Sequence, residues 1–277
     1  MSAKIIVYFL FLTILFVSKT QAEELKIEEV IAKHTNSIGT LEKRKGLSNM
    51  MLLGFSQFES KLPERKSVGK LAVVSNSSNL LFISSFASES YPFEKIGNFD
   101  GKIVVPFVSS GIRSPLGDFL IEHPNLLKSG LFSGTMSLNW NMLANNLEKG
   151  KYNLSGTKKI NGRKAYTIEF LGGGNAESFT VRMYFDAETF QHVQSEYRES
   201  YSGKQAKFGT LGEASDYTIE LKENFSEFKT FDGITLPTVY NVHFESVTSK
   251  STFVYDWVFK VNDVKFNQTL KDGFFNF

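Results

Sequence analysis

Gly111 to Gly150, GIRSPLGDFLIEHPNLLKSGLFSGTMSLNWNMLANNLEKG, is the one long run beyond the N-terminal region that reads as helix, and strand-like segments flank it on both sides. Ser114-Pro115 predicts a helix start, because serine caps free N–H groups and proline at the first helical position loses no hydrogen bond. Leu116, Phe119 and Leu120 follow at i, i+3 and i+4 and share a face. Pro124 ends that helix near His123. A second piece, Asn125 to Leu131, sets Leu127 and Leu131 one turn apart before Gly130 and Gly134 loosen the chain. A third opens at Ser137, places Trp140, Leu143, Ala144 and Leu147 on one stripe, and stops at Gly150. Short one-sided helices inside a β chain must lay their apolar faces on something.

On the N-terminal side, Leu25 to Ile38 reads as an amphipathic helix, with Ile27, Val30, Ile31, His34 and Ile38 on one stripe and Gly39 at its C-cap. Leu47 to Phe58 then alternates, with Leu47, Met51, Leu53 and Phe55 on one side. Strands over Gly69–Val74, Leu80–Phe86 and Phe93–Phe99 follow, and Asp100-Gly101 turns into Lys102–Val108. On the C-terminal side, Asn161-Gly162 is a strong hairpin signal between Tyr152–Ile160 and Arg163–Leu171. Phe179, Val181, Met183 and Phe185 alternate, Asp186 to Thr189 turns, and His192–Tyr201 returns. A polar loop, Ser202–Ser215, precedes Tyr217–Phe228. Asp232-Gly233 then turns into Ile234–Leu236, and Thr238–Ser246 follows. The last strand is the longest, with Phe253, Tyr255, Trp257, Phe259 and Val261 on one face.

About ten antiparallel strands in hairpin order predict a mainly β fold: a single strongly curved antiparallel sheet, or unclosed β-barrel, enclosing an apolar cavity. The fillers for its concave face are the N-terminal helix and the helices of 111–150, which are expected as a helical lid over the mouth. The 27 phenylalanines of the chain suit a wide apolar interior.

Lys4, the unbroken apolar run Ile5–Val17 and the small residues around Thr20-Gln21-Ala22 predict a signal peptide over 1–22, cleaved after Ala22. The apolar run is about thirteen residues, short of the about 20 that a spanning helix needs. The chain has no cysteine, which excludes disulfides, thiolate chemistry and a lipid-modified N-terminal cysteine. An export signal on a cysteine-free chain points to a bacterial periplasm, with residues 23–277 as one domain. Taking Lys4 and Lys19 from 31 basic residues leaves 29, against 29 acidic ones. A neutral chain without a basic run has no electrostatic footprint for nucleic acid or an anionic membrane.

Several short stretches carry a family pattern. Lys159-Ile160-Asn161-Gly162-Arg163 runs into Tyr166-Thr167-Ile168, and Val181-Arg182-Met183-Tyr184-Phe185-Asp186-Ala187-Glu188-Thr189-Phe190 follows. With Phe99-Asp100-Gly101-Lys102 and Phe231-Asp232-Gly233-Ile234-Thr235-Leu236-Pro237, this resembles the outer-membrane lipoprotein-sorting (LolA-like) superfamily. Arg113-Ser114-Pro115-Leu116-Gly117 looks like a larger subgroup of it. The resemblance implies an unclosed β-barrel with a helical lid over a hydrophobic cavity that holds acyl chains in transit between membranes. It also implies an arginine that latches the closed lid, a role for which Arg113, at the lid's edge, is the candidate.

No residue pattern supports catalysis. His34, His123, His192 and His243 are scattered without metal-ligand spacing. Gly172-Gly173-Gly174-Asn175 lacks the ending of a phosphate loop, and Ser109-Ser110-Gly111 is no nucleophile elbow. Asp216, Glu220 and Glu223 read as a solvated strand face. The expectation is therefore a binding protein with no cofactor and no metal, whose partner is an acylated lipoprotein or a lipid. Candidate contacts are Leu116, Phe119, Leu120, Leu127, Leu131, Trp140 and Leu143 on the lid, with Phe253, Tyr255, Trp257 and Phe259 on the barrel. The plain alternative for each is core packing. The competing roles are a periplasmic sensor or interaction module bound to an envelope protein, and a barrel filled by its own side chains.

Overall fold

The computed structural model describes residues 25–61, 63–143, 151–172, 179–201 and 216–275. The expected signal peptide, the lid beyond Leu143, the glycine loop from Gly173 and the polar loop 202–215 lie outside the described residues.

Helix α1 (Ile27–Ile38) buries Val30, His34 and Ile38, the core of the expected stripe. Gly39 is not a left-handed cap. Its φ of 163° is extended, and a Cβ there would lie 2.8 Å from the Gly233 carbonyl oxygen, so glycine is required for close approach. A short helix, α2 (Leu41–Lys45), follows, capped by the Thr40 side chain.

Twelve strands are described: β1 (Met50–Lys61), β2 (Glu64–Ser75), β3 (Leu80–Ser85), β4 (Phe93–Phe99), β5 (Lys102–Val104) and β6 (Tyr152–Ile160). Then come β7 (Arg163–Phe170), β8 (Phe179–Asp186), β9 (His192–Tyr201), β10 (Tyr217–Phe231), β11 (Ile234–Thr248) and β12 (Thr252–Phe266). They form one antiparallel sheet in the order β5-β4-β3-β2-β1-β12-β11-β10-β9-β8-β7-β6. Every pair except β1–β12 joins sequence neighbours, so the sheet is two meanders sutured where the two halves of the chain meet.

This order places the lid. The two edge strands, β5 and β6, are consecutive in sequence, and the segment between them must travel from one edge of the sheet to the other. It does so across the buried face. The sheet is strongly curled: β3 and β11 are four strand spacings apart, roughly 19 Å in a flat sheet. Yet the rings of Phe82 and Tyr240, on those strands, have centroids 6.4 Å apart.

The hairpin turns behave as their sequences require. Asp100-Gly101, Asn161-Gly162 and Asp232-Gly233 all have positive φ at both positions, the geometry that suits the right-handed twist of the flanking strands. At Gly162 φ is +83° and a Cβ added there would find no atom within 4 Å, so a methyl group meets backbone strain alone. Gly162→Ala is expected to cost about 1 kcal/mol, lowering the thermal midpoint by a few degrees in a melting experiment.

Two expected strand assignments are corrected. The inward face of β1 is Met50, Leu52, Ser56, Phe58 and Ser60, the opposite parity to Met51, Leu53 and Phe55, and Leu47 precedes the strand. Phe55 is 59% exposed. Both faces of Met50–Phe55 are apolar, so alternation there does not distinguish inside from outside. The segments Ile234–Leu236 and Thr238–Ser246 are one strand, β11, which passes through Pro237. Pro237 pairs with Phe228 of β10 at a point where β11 has left β12, so its missing N–H breaks no ladder bond on that side.

Candidate functional site

The lid begins at Ser114, whose hydroxyl accepts from the Gly117 N–H at 2.8 Å and caps helix α3 (Pro115–Glu122). Helix α4 (Asn125–Lys128) follows, then two short 3-10 turns at Gly134–Met136 and Asn141–Leu143. The helix expected from Ser137 does not form over the described residues. After Ser133, at φ 64°, the chain doubles back, so that Asn141 N–H bonds the Gly130 carbonyl rather than continuing a helix.

The lid places its apolar side chains as the spacing predicts. Leu116, Phe119, Leu120, Leu127, Leu131 and Trp140 are all buried, in one continuous cluster with Trp257 and Phe259 of β12. Phe119 meets Phe244 of β11 and Phe179 of β8. Leu143 and Tyr255 are half-buried at the margin of that cluster. Phe253, at the far end of β12, is 41% exposed and outside it. Among the described residues, side chains of the lid and of the sheet thus pack directly against one another.

A largely irregular segment buried on a sheet has backbone groups that no helix or ladder satisfies, and each needs a partner. Polar side chains on the inward face of the sheet supply them. Asn98 on β4 donates to the Leu127 carbonyl at 2.9 Å, and Tyr197 on β9 lies 2.9 Å from the Leu131 carbonyl. The Ser133 N–H donates to Glu223 on β10 at 2.7 Å, and the Leu138 N–H to Ser75 on β2 at 3.0 Å. Trp140 Nε1–H donates to His34 Nε2 at 3.0 Å. The Ser114 hydroxyl and the Glu94 carboxyl of β4 both lie against Gly117. These contacts run the length of the lid.

Two of these residues are fully buried carboxyls. Glu223 takes Ser133 N–H and the Tyr240 hydroxyl on one oxygen and Tyr197 on the other. Burial pushes its carboxyl up to about 7, against hydrogen bonds from Tyr197, Tyr240 and Ser133 that favour the anion. The proton has a place. Tyr197 has one O–H and faces both the Leu131 carbonyl and Glu223. A protonated Glu223 donates to the Tyr197 oxygen and leaves the phenol free to donate to Leu131. Glu94 is likewise raised to about 7 by burial, while Tyr91 donates to it at 2.7 Å. Tyr91 in turn accepts from Trp257 Nε1–H at 2.9 Å.

His34 is neutral by the same logic. Its Nδ1–H donates to the Phe190 carbonyl at 2.9 Å, which leaves Nε2 as the acceptor for Trp140. Burial lowers its pKa to about 4. His192 stacks on Trp140 with centroids 4.7 Å apart, and its pKa is also lowered well below the usual histidine value, by burial and by His34.

Glu223 corrects the expectation of a solvated strand face. It shares parity with Leu221 and Phe225 and is fully buried, whereas Asp216 is exposed and Glu220 lies on the other face. Glu94 and the tethers Asn98 and Tyr197 were not singled out in the sequence; their alternation with buried neighbours is the signal that marks them. Arg113 donates from Nε to the Val105 carbonyl at 2.8 Å and lies over the Phe107 ring. It also lies 4.0 Å from Asp118 of α3, so its contacts join the segment leading into the lid to the lid's first helix. The bonds that cross to the sheet belong to the residues above.

Ser114→Ala removes the α3 cap. It is expected to cost about 1 kcal/mol, read as a lower urea midpoint with an unchanged slope.

Where the lid ends, a cleft of about 280 Å³ opens between α1, α2, the β10–β11 turn and the lid, lined by Ile38, Leu41, Leu47, Leu138, Leu143 and Leu236 with Arg44 and Lys45 beside them. No helix among the described residues is long and apolar enough to cross a membrane.

No family model matches the chain, and no curated protein matches its sequence. Among solved structures, it is similar to LolA-superfamily proteins. One from Nitrosomonas europaea shares 15% identity at a TM-score of 0.47, with 91% of this chain and 98% of that one covered. A putative outer membrane lipoprotein-sorting protein domain from Vibrio parahaemolyticus shares 10% at 0.44, covering 90% and 97%. A DUF1329 family protein from Desulfovibrio piger shares 12% at 0.38, also covering 90% and 97%.

Proposed function

We propose that this protein is a periplasmic carrier that holds the acyl chains of a lipoprotein or lipid during transport between membranes, by binding alone and without catalysis. The observation that carries this reading is a lid threaded across the concave apolar face and tied to it by side-chain hydrogen bonds, outside the sheet's own ladder. Such a lid leaves without disturbing the strand pairing. Cargo then replaces the lid's leucines and aromatics on the face lined by Phe82, Tyr240, Trp257 and Phe259. Each methylene buried contributes about 0.8 kcal/mol, so one long acyl chain offsets the loss of several tethers. The export signal read from residues 1–22 agrees with an aqueous envelope compartment.

Native mass spectrometry, with lipid extraction, on protein purified from a periplasm without detergent tests it. A discrete added mass that resolves into a lipid or an acylated peptide is expected. A clean apoprotein that takes up no fluorescent fatty acid contradicts the carrier. A single stoichiometric envelope protein recovered without lipid replaces it with the interaction-module reading.

A further inference from the structure

The cleft at the end of the lid has an asymmetric lining. Ile38, Ile234 and Leu236 on its floor belong to the main core, and Leu138 and Leu143 pack against that core, so the floor of the cleft is the outer surface of the apolar interior. Leu41 stands at its mouth, 49% exposed. On the same side are Arg44 and Lys45, from the run Lys43-Arg44-Lys45 that ends α2.

Several cations of the sheet are neutralised by carboxylates. Arg163 is paired with Asp186 and Glu188, Arg182 with Glu169, and Lys222 with Glu220. Among the described residues no carboxylate lies within ion-pairing distance of Lys43, Arg44 or Lys45. Arg44 is also held in place: its Nε–H donates to the Gly39 carbonyl at 3.0 Å, which fixes the guanidinium beside the apolar floor. Burial lowers its pKa, as it does for a partly desolvated cation without an anion nearby. An apolar slot beside a fixed, unpaired guanidinium and a lysine is complementary to one kind of molecule, an apolar chain ending in an anion.

We infer that this cleft is the port through which cargo enters, and that the cargo is an amphiphile with an anionic head, bound by Arg44 and Lys45 while its chain runs past Leu138 and Leu143 toward the interior. The inference rests on the carrier reading and narrows it. The ester- and amide-linked chains of a lipoprotein end in no anion, whereas a fatty acid or an acidic lipid does.

The test is equilibrium binding of dansyl-labelled undecanoic acid and of its methyl ester to the full mature chain, at low salt. The wild type is expected to bind the acid at least tenfold more tightly than the ester. Arg44→Gln/Lys45→Gln brings the acid to the level of the ester and leaves the ester unchanged. Lys45→Glu, which leaves the Arg44–Gly39 bond in place, weakens the acid severalfold on its own. Equal affinity for acid and ester, unmoved by either variant, overturns the anionic head while leaving the carrier intact. Equal loss of acid and ester in Lys45→Glu overturns it too. Failure of the wild type to bind either probe overturns the carrier reading itself.

Discussion

Glu223→Ala is expected to destabilise the protein by about 4 kcal/mol and to loosen the lid before the sheet. The carboxyl holds three buried partners at once: Ser133 N–H from the lid and the hydroxyls of Tyr197 and Tyr240 from β9 and β11. Removing it strands the Ser133 N–H and the Tyr240 hydroxyl where water does not reach, at about 1–3 kcal/mol each, while Tyr197 keeps the Leu131 carbonyl, and it leaves a void the size of the side chain. Glu223→Gln keeps the volume. It also reproduces the protonated carboxyl: the amide oxygen accepts from Ser133 and Tyr240 and the NH2 group donates to the Tyr197 oxygen, so the expected loss is small, about 1 kcal/mol for the second N–H left over. Urea unfolding gives the magnitudes. Limited proteolysis gives the order: cleavage within 115–143 at denaturant levels where the sheet is intact is the predicted signature.

The pH profile of stability is expected to be level from about 4.5 to 6.5 and to fall on both sides. Glu94 and Glu223 have pKa values raised from 4.5 to about 7 in the folded chain. A raised carboxyl means the folded state holds a proton that the unfolded state has lost, so each contributes fully below 4.5 and loses that contribution as pH rises through 7. His34 and His192 are lowered from 6.5, His34 to about 4. Each therefore contributes fully above 6.5 and loses it as pH falls. Between 4.5 and 6.5 two protons bound on folding oppose two released, and the slope cancels. Below 4.5 the histidines still release protons on folding, and Asp186, lowered against burial from 3.8 to about 2 by Arg163 and the Thr189 and Glu188 N–H groups, adds to them, so stability drops on the order of 2–3 kcal/mol per pH unit. The break has a structural cause: a proton on His34 Nε2 faces the N–H of Trp140 and ends that tether. Glu223→Gln removes one of the two bound protons. Its profile should rise with pH across the level region, by about 1.4 kcal/mol per unit. A wild-type curve that slopes steeply between 4.5 and 6.5 would contradict the assignment of these four groups.

The strands were legible because alternation and hairpin turns are local. Asn161-Gly162 and Asp232-Gly233 lie where their backbone preferences put them. The signature stretch from Asn161 to Thr189 proves to be a turn lock. Arg163 donates to Asp186 and Glu188, while Asp186 accepts from the N–H groups of Glu188 and Thr189. That explains why such motifs speak for architecture and say nothing of a ligand. The lid's apolar stripe was equally legible in Leu116, Phe119 and Leu120. What local patterns do not carry is pairing at long range. Glu223 reads as a surface charge until the Ser133 backbone, 90 residues earlier in the chain, is placed against it. The irregular path after Ser133 was not readable either, because it is decided by contacts between Gly130 and Asn141 and by sheet side chains.

The central claim is that cargo displaces a tethered lid and leaves the sheet whole. Hydrogen exchange read by mass spectrometry, on residues 23–277 with and without a bound fatty acid, tests it most directly. Ligand should speed exchange at the backbone N–H groups of Ser133 and Leu138 and along α3, with β1, β11 and β12 as protected as before. Bound fatty acid with the lid protected as in the free protein would contradict it.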